Sequence, residues 1–400
     1  MKRVLGALLF LALGVSGSAR AQGLTMQMSN GWSFSFAGNV NAFLVYQHQD
    51  SNGAVASPGT VVGTTPTGTS RIRTGLLPAF ATFDAKGKEG DINVGVHFGF
   101  APEIQCAGGV HDCFGAQIDM RQVFLTVGGS WGQILAGREL ALFGRQNILN
   151  DQTLFGVGAP GSPAGGGTGG GTTLGRIGFG YDYPNFVSQV TYSSRSDQPT
   201  VFSIGLFDPS FNGPYTSLQL PRFETEVVYS HKQHKFWAGG LLQSNKNPAN
   251  GNSATAYGLS GGVRLGFSGL AIVGSGFWGK GIGTTLLFAG GTGNGSTPGS
   301  DDLRQTIGYI AQVTYTPTAS KVTLAASYGA NQLKNAKDEQ VAGADVFKTE
   351  NGLVSAGVYY QWTKSLKFVG EFDYAWSKDK IGNPQQNKSI APAVGLMLFF

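Results

Sequence analysis

The chain has 400 residues, 63 of them glycine, and is 41% hydrophobic, 12% aromatic and only 13% charged. Ordinary soluble domains carry roughly 25% charged residues, so this composition points away from that class and toward many turns and a large apolar surface. Apart from the first residues there is no long apolar run, which excludes a bundle of membrane helices of about 20 residues each.

Taken in order, Lys2 and Arg3 form a positive n-region, Val4 to Val15 an apolar stretch of 12 residues, and Ala19-Arg20-Ala21 a small-residue cleavage site. Such a stretch is too short for a spanning helix and reads as a secretory signal peptide, residues 1–21, rather than a retained anchor. Residues 22–400 then form a single barrel domain. Removing Lys2, Arg3 and Arg20 lowers the basic excess from five to two, and a nucleic-acid partner loses its support. Export also predicts a disulfide between the two cysteines, Cys106 and Cys113. The rival reading is a metal site with His111 and Asp112, which lacks a further ligand cluster. No cofactor is expected.

Sixteen strands are predicted, at 32–48, 71–85, 91–100, 118–127, 131–138, 176–193, 199–207, 222–230, 235–243, 255–266, 270–280, 303–316, 320–331, 352–362, 365–377 and 391–400. The connections alternate between long (49–70, 101–117, 139–175, 208–221, 244–254, 281–302, 332–351, 378–390) and short ones. Short periplasmic turns and long extracellular loops are the pattern of an antiparallel transmembrane barrel. Pro184 interrupts the sixth strand and implies a bulge or an edge there.

Period-2 alternation identifies the faces. In the fifteenth strand Leu366, Phe368, Phe372, Tyr374 and Trp376 oppose Lys367, Glu371 and Asp373. A cation facing lipid at the bilayer midplane costs about 2–4 kcal/mol, so the charged face must line a wet interior. The first strand sets Phe34, Phe36, Val40 and Leu44 against Ser33, Ser35, Asn39 and Asn41. The third sets Ile92, Val94, Val96 and Phe98 against Asp91, Asn93 and His97. The eighth sets Phe223, Val227 and Tyr229 against Arg222, Glu224 and Glu226. The fourth, fifth, ninth and eleventh strands alternate poorly. Sheet edges cannot stay unpaired in lipid, so strand 1 should close on strand 16, around a lumen too wide for side chains to fill.

The chain ends in Val394, Gly395, Leu396, Met397, Leu398, Phe399 and Phe400. Gly395, Leu398 and Phe400 resemble the insertion signal read by the outer-membrane barrel assembly machinery. The hairpin Arg121 to Arg138, the run Arg176 to Pro184 and both termini resemble the Gram-negative general porin superfamily. That resemblance implies an all-β, 16-stranded antiparallel barrel whose long third extracellular loop folds into the pore. It also implies a homotrimer set in outer-membrane lipid and lipopolysaccharide that passes small polar solutes. The long connection from Glu139 to Gly175 would supply the loop, with Glu139, Arg145 and Asp151 as its charged residues. Arg71, Arg73, Arg121, Arg138 and Arg176 would form the facing basic cluster. Opposed charges of this kind select ions by sign, and the arginine excess points to a weak anion preference. The alternatives are a substrate-specific channel for small organic anions or sugars, and a barrel-embedded outer-membrane hydrolase. The hydrolase lacks a visible triad among His48, His97, His111, His231 and His234 and their serines.

Overall fold

A sheet with one apolar and one polar face buries both backbone and charge in a membrane only by closing on itself, apolar side out. The computed structural model describes residues 23–52, 55, 57–63, 66–105, 118–161, 171–381 and 386–400. The signal peptide, Cys106, Cys113, His111 and Asp112 lie outside the described residues.

The strands are β1 (Leu24–Gln27), β2 (Ser33–Asn52), β3 (Thr67–Arg73), β4 (Phe80–Glu89), β5 (Ile92–Pro102), β6 (Ile118–Gly129), β7 (Gly132–Leu140), β8 (Phe186–Ser193) and β9 (Thr200–Phe207). They continue as β10 (Arg222–His231), β11 (His234–Lys246), β12 (Ser253–Gly266), β13 (Leu270–Lys280), β14 (Gln305–Tyr315), β15 (Val322–Lys334), β16 (Lys348–Gln361), β17 (Leu366–Asp379) and β18 (Gln386–Phe399). Each pairs antiparallel with its neighbours, and β18 closes on β2 from Gln386↔Asn52 to Phe399↔Asn39. β3 and β4 share one place beside β2, and β1 continues the β18 edge by pairing Leu24 with Phe36. The result is a closed barrel of sixteen strand positions.

Two predicted strands are interrupted. The run 71–85 breaks at 74–79, where Pro78 lacks an amide and β2 side chains replace the ladder. Asn39 donates to the Pro78 carbonyl at 3.0 Å, Asn41 donates to the Leu77 carbonyl at 3.0 Å, and the Gly75 amide donates to Asn41 at 3.0 Å. In the run 176–193 only Phe186–Ser193 is strand. Pro184 and Asn185 (φ 63°) end the preceding segment, so the proline lies outside the sheet and the strand count stands.

The outer face is apolar, with Val40, Leu44, Val190, Leu242, Leu259, Val394 and Leu398 exposed. Aromatic pairs mark its two rims. Trp131–Tyr192, Tyr229–Phe236 and Trp362–Phe368 adjoin short turns, while Tyr257–Trp278, Tyr309–Tyr328 and Tyr328–Trp376 lie toward long connections. This is the outward band and double girdle expected of an outer-membrane barrel. The inner face carries Asn39, Asn41, Gln47, Glu224, Glu226, Ser327, Ser355, Glu371 and Asp373, all buried.

Candidate functional site

The longest connection, 141–185, leaves β7 and returns to β8. The Ala141 amide donates to the Asn185 carbonyl at 2.9 Å and ties its two ends together. Gly144, at φ 80°, turns the chain into a one-and-a-half-turn helix, α1 (Arg145–Asn150). A non-glycine residue is uncommon in that left-handed region. Asp151 then caps a 3-10 turn over Gln152–Phe155, accepting from the Thr153 amide at 2.9 Å.

This segment is held by inner-face side chains from strands far apart around the sheet. On β10, Glu224 accepts from the Phe143 amide at 2.8 Å, and Glu226 pairs with Arg145 at 2.5 Å. The Trp237 indole of β11 donates to Asn147 at 3.0 Å. Gln312 of β14 accepts from the Gln152 amide at 2.8 Å and donates to the Asn150 carbonyl at 2.9 Å. Glu371 of β17 accepts from the amides of Val157 at 2.7 Å and Gly158 at 2.6 Å, and from the Tyr359 hydroxyl at 2.8 Å. Lys367 lies 4.0 Å from the centre of the Phe155 ring. Arg73 of β3 spreads over three carbonyls, those of Pro160 at 3.2 Å, Gly171 at 2.8 Å and Thr172 at 2.9 Å. Planar, permanently charged guanidinium suits such a fork.

Arg176 is fully buried. It donates to Ser327 and, at 3.0 Å, to the Leu353 carbonyl, and it lies 3.9 Å from Asp151. Burial raises the Asp151 carboxyl, opposed by Arg176 and by hydrogen bonds from Thr153 and Tyr181. Around this core Leu140, Ile148, Leu154, Ile177, Phe179, Tyr181 and Leu353 pack as one apolar cluster.

The sequence-predicted site residues therefore divide. Arg71 and Arg73 share the inner face, opposite Val45 and Phe43, while Ile72 between them points outward. Arg121 sits beside a β-bulge, bonded to Asp119 at 2.7 Å and lying over the Phe186 ring. Arg138 is exposed on the outer face, where its guanidinium donates to the Phe186 carbonyl at 3.2 Å. Arg176 belongs to the segment, not to the wall it would face. Glu139 is buried, accepting from the Leu140 amide at 2.6 Å and from Gln122 at 2.8 Å. Arg145 is engaged by Glu226 and Asp151 is enclosed, so neither presents a bare charge. Lys367, Glu371 and Asp373 do face inward, but they are buried beneath the segment rather than wetted. Sequence reasoning does not assign the anchoring roles of Glu224, Glu226 and Gln312; their polar face is the only available signal. It also passes over Lys235 and Arg264, directly opposed across β11 and β12 on the inner face.

At the terminal strand, Phe400 exchanges backbone hydrogen bonds with Gly38 at 3.0 Å, and its ring lies 5.2 Å from Phe36. Gly395 gives Phe43 room, since a Cβ there would meet its ring at 2.5 Å. Leu398 points outward.

A closed sixteen-stranded barrel, apolar outside and polar within, defines a channel of the bacterial outer membrane. The family model described as Gram-negative porin matches residues 7–380, and the chain belongs to that family. It is a porin in the functional sense too: a water-filled outer-membrane channel for passive diffusion of small hydrophilic solutes. No curated protein matches the chain in sequence. Among solved structures, it resembles the outer membrane channel DcaP of Acinetobacter baumannii at 13% identity and a TM-score of 0.68, covering 94% of this chain and 99% of that one. The anion-selective porin from Comamonas acidovorans is similar at 12% identity and a TM-score of 0.61, with 92% and 100% covered. OmpT of Vibrio cholerae is similar at 16% identity and a TM-score of 0.56, with 94% and 100% covered.

Proposed function

We propose that segment 141–185 forms the constriction of this porin and that the remaining passage favours anions. One observation carries the reading: the inner-face acids are engaged, whereas several inner-face cations keep contact with solvent. Glu139, Glu224, Glu226 and Glu371 are buried and bonded to segment amides, to Arg145 or to neighbouring side chains. Arg71, Lys235 and Arg264 stand half-buried on the same face. Fixed charge lining a pore selects permeating ions by sign. The anion selectivity of the Comamonas porin, which shares the fold, agrees with this reading.

Transport here needs no chemical step, so the barrel acts without catalysis. We infer a homotrimer, the form in which Vibrio OmpT has been described. In the same way Gly395, Leu398 and Phe400 serve as the signal for barrel assembly, and Cys106 with Cys113 as a disulfide in the exported chain. Planar-bilayer recording in a salt gradient tests the central claim. A reversal potential of anion-selective sign is expected. A cation-selective one would refute the preference, and a conductance unaffected by loosening segment 141–185 would refute the constriction.

A further inference from the structure

Two carboxylates from different long connections converge in the structure without any counter-charge between them. Asp302 ends a 3-10 turn, Gly299–Asp302, in the connection 281–304, and Asp338 lies in the turn Lys337–Glu339 of the connection 335–347. Asp302 is fully buried. Its Oδ1 accepts from the Gly295 amide at 3.1 Å, while its Oδ2 has no partner. Both carboxylate oxygens of Asp338 are likewise shielded and unpartnered.

Gly293 shows where they aim. A Cβ built on it would lie 2.5 Å from Asp302 Oδ1, 3.0 Å from Asp338 Oδ1 and 3.3 Å from Asp338 Oδ2. Both carboxylates thus crowd the same small space, left open by the absent side chain. The neighbouring cations are engaged elsewhere: Arg304 with Glu339, Lys337 with Asp301 at 3.3 Å and Lys334 with Asp345 at 2.8 Å. The Tyr215 hydroxyl stands beside Asp302 and donates to the Thr297 carbonyl at 3.3 Å.

Two adjacent shielded carboxylates stay both ionised only with a cation between them, and otherwise share a proton. Long connections of an outer-membrane barrel face the medium, where divalent cations are available. An all-oxygen donor set with no nitrogen or sulfur ligand suits a hard cation, its shell completed by carbonyls and water. We propose that Asp302 and Asp338 bind a divalent cation of the calcium class, which clamps connection 281–304 to connection 335–347. Cation and proton then compete for the same oxygens, so affinity rises with pH.

The test uses the full-length barrel, purified in detergent and freed of lipopolysaccharide. Terbium(III) is the probe, because Tyr215 beside the site can sensitise its luminescence. Saturable emission displaced by calcium is expected, weakened by about tenfold or more in Asp338→Asn and Asp302→Asn. Asp301→Asn, whose carboxylate pairs with Lys337, should bind as the parent does. Calcium should also raise the thermal stability of the parent over that in chelator, and not that of Asp338→Asn. Equal terbium binding by parent and both variants would overturn the assignment. So would an absence of saturable binding, which would leave the pair to share a proton instead.

Discussion

Replacing Glu371 with alanine should release segment 141–185 from the wall while leaving the barrel closed. Glu371 is the sole acceptor given by β17 to the Val157 and Gly158 amides, and it also receives the Tyr359 hydroxyl. Its removal leaves the Val157 and Gly158 amides without an acceptor in a buried place, each costing about 1–3 kcal/mol, while the Tyr359 hydroxyl keeps the Gln152 carbonyl at 3.3 Å. The total, about 2–6 kcal/mol, falls on the docking of the segment. β17 remains paired with β16 from Thr349↔Asp379 to Gln361↔Lys367 and with β18 from Leu366↔Leu398 to Lys378↔Gln386. At about 1.4 kcal/mol per decade, the docked population should fall roughly thirtyfold or more relative to the released one. Single-channel recording should then show larger and noisier conductance, and limited proteolysis should cut within 152–161 before the strands. Glu371→Gln keeps an acceptor oxygen but loses its charge, and should fall between parent and alanine variant. Unchanged conductance and unchanged protease resistance in the alanine variant would refute the anchor.

Reversing Lys235 and Arg264 together to glutamate should move the reversal potential toward cation selectivity; each reversal is worth about 1 kcal/mol to an ion passing within several ångströms in screened water, enough for several-fold in permeability ratio. Arg138→Ala, on the outer face, should leave selectivity unchanged, and a shift comparable with the double reversal would contradict its placement. Asp182 is buried with both carboxylate oxygens unpartnered, and burial raises its carboxyl well above the usual range. Its proton is thus held more tightly in the folded chain, so stability present below about pH 4 is lost as pH rises toward the folded value. Thermal unfolding of Asp182→Asn should lack that component, and an identical pH profile in parent and variant would count against it. Gly395→Leu should crowd Phe43 at the closing seam at a cost of about 1–3 kcal/mol and lower the yield of heat-resistant barrel in membranes, with normal yield as the contrary result.

The strands most legible in the sequence are those whose inner face is polar or charged. β2, β5, β10 and β17 have the faces their alternation implies, Glu224 and Glu226 inward and Val227 and Tyr229 outward among them. β11 and β13 are harder to read because apolar residues stand on both faces. Inside, Leu241 and Phe277 pack with Phe143, Ile282 and Phe288. Their inner residues meet protein instead of water, so the rule that equates inside with polar fails where a connection packs against the wall. The same cause produces a false strand at 176–185. Ile177, Phe179, Tyr181 and Tyr183 alternate like a lipid-facing row but are buried in the cluster with Leu140 and Leu353. Glycines 178 and 180, at φ 83° and 155°, bend that run away from any ladder. A single residue string carries no mark of which apolar row meets lipid and which meets a loop.

Arginine position is legible in the same partial way. Arg71 and Arg73 do share one face, yet one ring of charge does not follow from one face. Arg73 has its Nη atoms filled by three carbonyls and is buried, so it fixes a loop path and contributes little field to a passing ion. Arg176 is enclosed by Ser327, Leu353 and Asp151 and does likewise. On the reading proposed above, the field in the passage comes from cations that the docked segment leaves half-buried. Lys235 and Arg264 are two such groups, like charges directly opposed across two strands, with Arg264 also donating to the Gln233 carbonyl at 3.1 Å. On the reading proposed above, selectivity in this barrel follows less from how many arginines line the wall than from which of them segment 141–185 already engages.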